Sequence, residues 1–178
     1  TLDVARLAVA VAGDSARSHL SISTHGGRYG EWEGSEEERA RGQLREVVEA
    51  LEGLEGTPVV LSVEAEPFSS ATDTRAAAAW VASLDSSHLE LCLDCCHSAV
   101  EFEEAGEALA LTRSSGLGKV QFSSALSLMN PADNPDGVRA LLSMDEPRFL
   151  HQVTSSDPQT RAADISDLAR ALEKGSCW

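Results

Sequence analysis

The stretch Leu91-Cys92-Leu93-Asp94-Cys95-Cys96-His97 alternates apolar and polar residues and then delivers a carboxylate and an imidazole three positions apart. Both groups bind metals and carry protons, so the pair suits a metal site or acid/base chemistry. Two further stretches, Val59-Val60-Leu61-Ser62-Val63-Glu64 and Lys119-Val120-Gln121-Phe122-Ser123, share the alternation and also end in polar, ligand-type residues. Three strand ends thus converge on one chemistry.

Successive side chains on a strand point to opposite faces. Val59, Leu61 and Val63 then form one face, continued by Leu89, Leu91 and Leu93 and by Val120 and Phe122. Glu64, Glu90, Cys92, Asp94, Lys119 and Gln121 fall on the other. An open sheet covered by helices on both sides wants two apolar faces. A small barrel instead packs helices on its outside and gathers polar residues at its mouth, which fits this pattern better.

The chain has 178 residues, 42% hydrophobic and 24% charged, enough apolar content to bury a core. Its formal net charge of −15, with no run of Lys or Arg, makes the electrostatic term for nucleic acid or an anionic membrane repulsive. The longest apolar stretches, residues 7–12 and 76–84, fall well short of the ~20 residues that cross a bilayer. No membrane insertion and no signal peptide are expected. Three of the four cysteines, Cys92, Cys95 and Cys96, crowd together and Cys177 stands apart. A disulfide framework would spread them, and no second pair at zinc-finger spacing follows Cys92-x-x-Cys95. We expect reduced, mostly buried thiols and a cytoplasmic address.

Along the chain, helix and strand signals alternate as in repeated β-α units. Strands are expected to start near residues 19, 58, 89, 118 and 149, the last over 149–153. Ser35 with Glu38 and Ser98 with Glu101 have capping-box spacing, the second opening a helix over 98–114. An Ala-rich helix is expected over 74–84, a helix led by Asn134-Pro135 to about Met144, and a final helix over 161–174. Spacing of about thirty residues per unit matches a (β/α)8 barrel, whose usual length is ~250 residues. We read the chain as a single domain, an α/β TIM-barrel fragment of about five units. The alternative is a complete five-stranded doubly wound domain with its ligand at a reversal of strand order; the polar inner faces favour the barrel.

The segments Ser21-Ile22-Ser23-Thr24, Val63-Glu64-Ala65-Glu66-Pro67, Cys92-Leu93-Asp94-Cys95-Cys96-His97, Lys119-Val120-Gln121-Phe122-Ser123-Ser124-Ala125-Leu126 and Glu146-Pro147-Arg148-Phe149-Leu150-His151-Gln152 occur in this order. Together they resemble the xylose-isomerase-like barrel family called EboE, the metabolite traffic protein of bacterial ebo gene clusters. The resemblance spans nearly the whole chain. It implies a barrel cut to its third to seventh strands, with the first two preceding Thr1 and a histidine-bearing eighth strand following Trp178. The wider superfamily includes sugar isomerases, epimerases and a DNA-repair endonuclease, and typically holds divalent metal at the C-terminal mouth of the barrel. By resemblance, Glu64 matches the glutamate ending the fourth strand, Asp94 and His97 the Asp-x-x-His after the fifth, and Gln121 the ligand of the sixth. The chain departs from the family where Ala65 replaces the first proline of Glu-Pro-Glu-Pro, and where Lys119 stands in place of a histidine common in isomerase relatives.

Glu, Asp, His and a Gln amide make a hard, mostly oxygen donor set, suited to Mn²⁺, Mg²⁺ or Zn²⁺. The candidate metal ligands are Glu64, Asp94, His97, Gln121 and His151; the candidate acid/base groups are Glu64, His97 and Lys119. Each has a plainer reading. Glu64 and Asp94 would be rim carboxylates hydrogen-bonded to Lys119 without metal, and His151 a satisfied core histidine. His25 and its glycine-rich loop either cradle an anion or simply connect to the next helix. Glu66 either supports Glu64 or caps the following loop. Glu36-Glu37-Glu38 is read as a helix N-terminus.

Two functions follow from these features. One is a metal-dependent isomerase or epimerase acting on a small polyhydroxylated metabolite. The other, which the family's link to secondary-metabolite export implies, is a barrel that binds or hands over a metabolite without turnover, alongside other proteins of the same gene cluster. The net charge disfavours the endonuclease chemistry of the superfamily.

Overall fold

Four of the alternating stretches form one parallel sheet: β1 (Leu20–His25), β2 (Val59–Glu64), β3 (Leu89–Asp94) and β4 (Leu117–Gln121). The computed structural model describes residues 1–13, 19–30, 35–56, 58–157 and 159–175; Cys177 and Trp178 lie outside them. The strands are hydrogen-bonded in chain order, β1-β2-β3-β4, without the reversal of a doubly wound sheet. Helix α1 (Leu2–Ala12) precedes β1, α2 (Glu36–Glu52) joins β1 to β2, and α3 (Thr74–Ala82) joins β2 to β3. The short α4 (Cys95–Val100) and then α5 (Ala105–Ser115) lead from β3 to β4. Beyond β4 come α6 (Pro135–Leu142), an antiparallel ribbon of β5 (Val153–Thr154) and β6 (Arg161–Ala162), and α7 (Ile165–Glu173). Among the described residues no helix is long and apolar enough to cross a membrane.

The two faces of the sheet divide as the alternation predicts. Ile22, Val59, Leu61, Val63, Leu89 and Leu91 are buried on the outside against Ala5 of α1, Val48 and Leu51 of α2, and Ala77, Ala78, Trp80 and Val81 of α3. Each such aliphatic side chain contributes roughly 1.5–3 kcal/mol on burial. A one-residue slip would exchange this face for Ser62, Glu90 and their neighbours, so the register is strongly specified.

On the inner face the sheet curls into a half-barrel. Lys119 Nζ donates to Ser23 Oγ at 2.7 Å, from β4 to β1. In a flat sheet those strands would be ~14 Å apart, three spacings of ~4.8 Å, beyond the reach of a lysine. Ser21 and Ser62 hydroxyls meet at 2.6 Å. A Cβ on Gly118 would lie 2.3 Å from Ser62 Oγ and 2.8 Å from Glu90 Oε2, so β4 passes over the inner face as only a glycine can. The shift of register opposite Leu91 and Cys92 accompanies this approach.

Several local expectations give way to the structure. The strand expected over 149–153 does not join the sheet, which has four strands rather than five. Val153 and Thr154 pair instead with Arg161 and Ala162, because a short loop closes at lower entropic cost than a return to β4. Phe149 and Leu150 are left exposed, and Phe122, past the end of β4, is 95% exposed. The final helix starts at Ile165, capped by Asp164, since Arg161 and Ala162 are held in the ribbon. Ser35 takes the N-cap position of α2 with helical backbone angles and no side-chain capping bond, so that capping box does not form. Ser98 lies inside α4 rather than opening a long helix; Asp94 caps α4, and Glu104 caps the separate α5. Asn134 and Pro135 open α6 as their types predict, with Asn134 Oδ1 accepting from Gly137 N–H at 2.9 Å.

Candidate metal and acid/base site

Glu64 and Asp94 end adjacent parallel strands, so both carboxylates stand at the same rim of the half-barrel. Asp94 also turns the chain into α4. Its Oδ1 accepts from the backbone N–H of Cys96 at 2.8 Å and of His97 at 3.0 Å, and from Ser123 Oγ at 2.9 Å. This N-cap geometry explains the Asp-x-x-His spacing, because it places His97 one helical turn on, back over the rim. Ser123 Oγ in turn accepts from Cys96 N–H at 3.0 Å.

His97 is the centre of the group. Its Nδ1 lies 3.0 Å from the Ala65 carbonyl, 3.2 Å from Glu64 Oε1 and 4.0 Å from Asp94 Oδ1. Its Nε2 faces Glu66 Oε2 at 3.7 Å. None of these four side chains is more than 21% exposed. Burial alone disfavours the imidazolium, but the hydrogen bond its N–H donates to Glu64 and the charges of Glu66, Asp94 and Glu64 outweigh it and push its pKa up to about 9. Cys92, beneath the rim, is pushed up to about 11 by burial and the charge of Glu64, against the opposing pull of Ser23 and Lys119. Cys96 is raised by burial, Asp94 and Glu66. These thiols stay protonated at neutral pH, which leaves oxygen and imidazole as the donors on offer.

One donor atom each from Glu64, Asp94 and His97 lie within 4.8 Å of one another. Two ligands each ~2.1 Å from one ion are at most ~4.2 Å apart, and His97 Nδ1 already lies within that span of both Glu64 Oε1, at 3.2 Å, and Asp94 Oδ1, at 4.0 Å. The residues fit a small divalent ion of the Mg²⁺, Mn²⁺ or Zn²⁺ type.

The remaining candidates are placed as follows. Gln121 ends β4 in register with Asp94, at the same rim. Lys119 is in register with Cys92 and gives its ammonium to Ser23, not to the rim carboxylates. His25 ends β1 opposite Glu64 and is exposed. His151 joins a second group with Asp145 and Asp164: its backbone N–H donates to Asp164 Oδ1 at 3.1 Å and its Nδ1 lies 3.4 Å from the same oxygen.

Three residues outside the candidate ligands and acid/base groups gather beside the rim. Gln152 Nε2 donates to Glu66 Oε1 at 2.5 Å and ties the ribbon segment to the β2 end. Tyr29 stacks on Phe68 with ring centroids 6.2 Å apart, and the Arg161 guanidinium lies over the Phe68 ring, 4.6 Å from its centroid. Arg161 also makes a two-pronged ion pair with Glu101, whose carboxylate is only 8% exposed. The Tyr29 hydroxyl is buried beside Gln152, outside strict hydrogen-bond geometry. Burial raises its pKa, opposed by Gln152 and aided by the charges of Glu66 and Asp164, so it remains a neutral phenol. A lone tyrosine in a glycine-rich loop and a glutamine beside a histidine are the only hints the sequence carries of these placements. No family model and no curated protein matches the chain, and function has to be read from the site itself.

Proposed function

We propose that this half-barrel carries the site of an EboE-like, xylose-isomerase-like protein that handles a small polyhydroxylated metabolite at a divalent ion held by Glu64, Asp94 and His97. The observation that carries this reading is the convergence, within 4.8 Å, of Glu64 and Asp94 from the ends of neighbouring parallel strands and His97 from the first turn of α4. Active sites of barrels built on such strands sit at this rim. When bound, the ion supplies Lewis acidity toward a carbonyl or hydroxyl of the metabolite. The chain's own residues orient the donors: Ser123 and the α4 N–H groups hold Asp94, and the Ala65 carbonyl holds His97. The carboxylates, the Gln121 amide and the Ser23 hydroxyl offer hydrogen-bonding partners suited to a hydroxyl-rich molecule. Gln121 and Lys119 line the same inner face as supporting polar groups.

A second reading, binding and hand-over of a metabolite without turnover, is favoured by the pKa of about 9 at His97. An imidazolium among carboxylates is a self-neutralised group that presents hydrogen-bonding oxygens with no ion. Metal content and calorimetric Mn²⁺ binding, measured on the chain and on Asp94→Asn, separate the two. Stoichiometric binding lost in the variant supports the metal site. A metal-free protein whose polyol binding is unchanged in Asp94→Asn refutes it.

A further inference from the structure

His97 offers two ring nitrogens, and the structure distinguishes what each can do. Nδ1 is the nitrogen nearest Glu64 and Asp94, at 3.2 and 4.0 Å. It is also 3.0 Å from the Ala65 carbonyl oxygen, which can only accept. Nδ1 therefore carries a hydrogen for as long as that bond exists, and Glu64 Oε1 shares it. A nitrogen that holds a proton has no lone pair for a metal.

The neutral ring keeps its lone pair on Nε2. That atom faces Glu66 Oε2 at 3.7 Å, inside the ~4.2 Å spanned by two ligands of one ion. Glu66 is itself aimed: Gln152 Nε2 holds its other oxygen at 2.5 Å from across the mouth. A metal-bound histidine commonly donates its second ring N–H to a carbonyl or carboxylate, which is what Ala65 and Glu64 provide here. Asp94 Oδ1 already accepts three hydrogen bonds, so Asp94 has only its second oxygen to give.

We propose that His97 enters the metal site through Nε2, that Glu66 is a ligand beside it, and that Gln152 is the positioning residue for Glu66. This rests on the reading that the rim holds a divalent ion. The ion takes the Nε2 lone pair, and a proton leaves that nitrogen to solvent when the ring is charged beforehand. Glu64 Oε1 stays with the Nδ1 hydrogen, at 3.2 Å.

Zinc serves as the probe, because it is diamagnetic. Long-range ¹H–¹⁵N correlation spectra of the zinc-loaded chain should show His97 protonated at Nδ1 and metallated at Nε2. Calorimetry should show the zinc Kd rising about 100-fold in Glu66→Gln and about tenfold in Gln152→Leu, the scale of losing a ligand and its support. Among the described residues the Glu66 side chain pairs with Gln152 and His97, and Glu66→Gln can keep the first contact, so this variant should melt within a few degrees of the parent. Unchanged zinc affinity in Glu66→Gln, or a spectrum with Nδ1 metallated, overturns this inference and leaves the metal site of Glu64, Asp94 and His97 standing. A parent chain that binds no zinc overturns both.

Discussion

Replacing His97 with glutamine removes the imidazole placed among Glu64, Glu66 and Asp94, and the consequence for stability depends on pH in a direction the structure sets. The folded pKa of about 9 lies above the ordinary 6.5 of an unfolded chain. A raised pKa means that the folded state holds the proton more tightly, so the stabilisation is complete below pH 6.5. It declines as pH rises through the window from 6.5 to about 9 and is gone above it. At ~1.4 kcal/mol for each unit of pH, the full effect is about 3 kcal/mol. That is a large share of the 5–15 kcal/mol that holds a typical domain together. Urea unfolding in the presence of a chelator, at pH 6, 7.5 and 9.5, should show the parent losing about this much across the series. His97→Gln should be weakest relative to the parent at pH 6 and nearly equal to it at pH 9.5. Parallel profiles for the two proteins would refute the placement of His97 among ionised carboxylates. If the rim takes Mg²⁺ as proposed, the dependence inverts: the ion would compete with the proton on His97, so affinity measured by calorimetry should climb with pH and level off near pH 9.

Gly118→Ala should destabilise by about 1–3 kcal/mol in thermal unfolding, because its Cβ would sit 2.3 Å from Ser62 Oγ. Adding Ser62→Ala should recover part of that loss, and strict additivity of the two changes would count against the close approach. Arg161→Ala leaves the 8% exposed Glu101 carboxylate without its cation and should cost about 3–5 kcal/mol by chemical denaturation. Earlier proteolysis of the ribbon segment in that variant would show that this pair anchors it. Tyr29→Phe keeps the stack on Phe68 and removes a hydroxyl that has no strict partner, so its melting midpoint should hold or rise. A fall worth more than ~1 kcal/mol would reveal a hydrogen bond to Gln152.

The sheet was legible because burial of one face repeats every second residue. Val59, Leu61 and Val63, then Leu89 and Leu91, announce both the strands and the side that packs against helices. The curled sheet was legible in the polar residues of the opposite face, among them Glu64, Glu90, Asp94 and Lys119. What failed were the choices between competing local bonds. Ser98 has the spacing to cap a helix, but Asp94 stands four residues earlier, already at a strand end, and takes the N–H groups first. The segment 149–153 has strand-forming residues, but a strand exists only with a neighbour, and the nearest neighbour in chain length was 161–162.

The candidate site divides along the same line. Strand ends and an Asp-x-x-His turn are local features, and alternation plus one helix cap suffice to bring Glu64, Asp94 and His97 to a common rim. The partners of Glu66, the ring nitrogen of His97 left open and the pairing of His151 with Asp164 depend on where Ala65, Gln152 and Asp164 arrive from elsewhere in the chain. Short-range sequence order determined which groups reach the mouth, because backbone geometry repeats with a fixed period. Only the folded structure decided which oxygen meets which nitrogen, because those encounters depend on loop paths and on the curl of the sheet, and neither has a period to read.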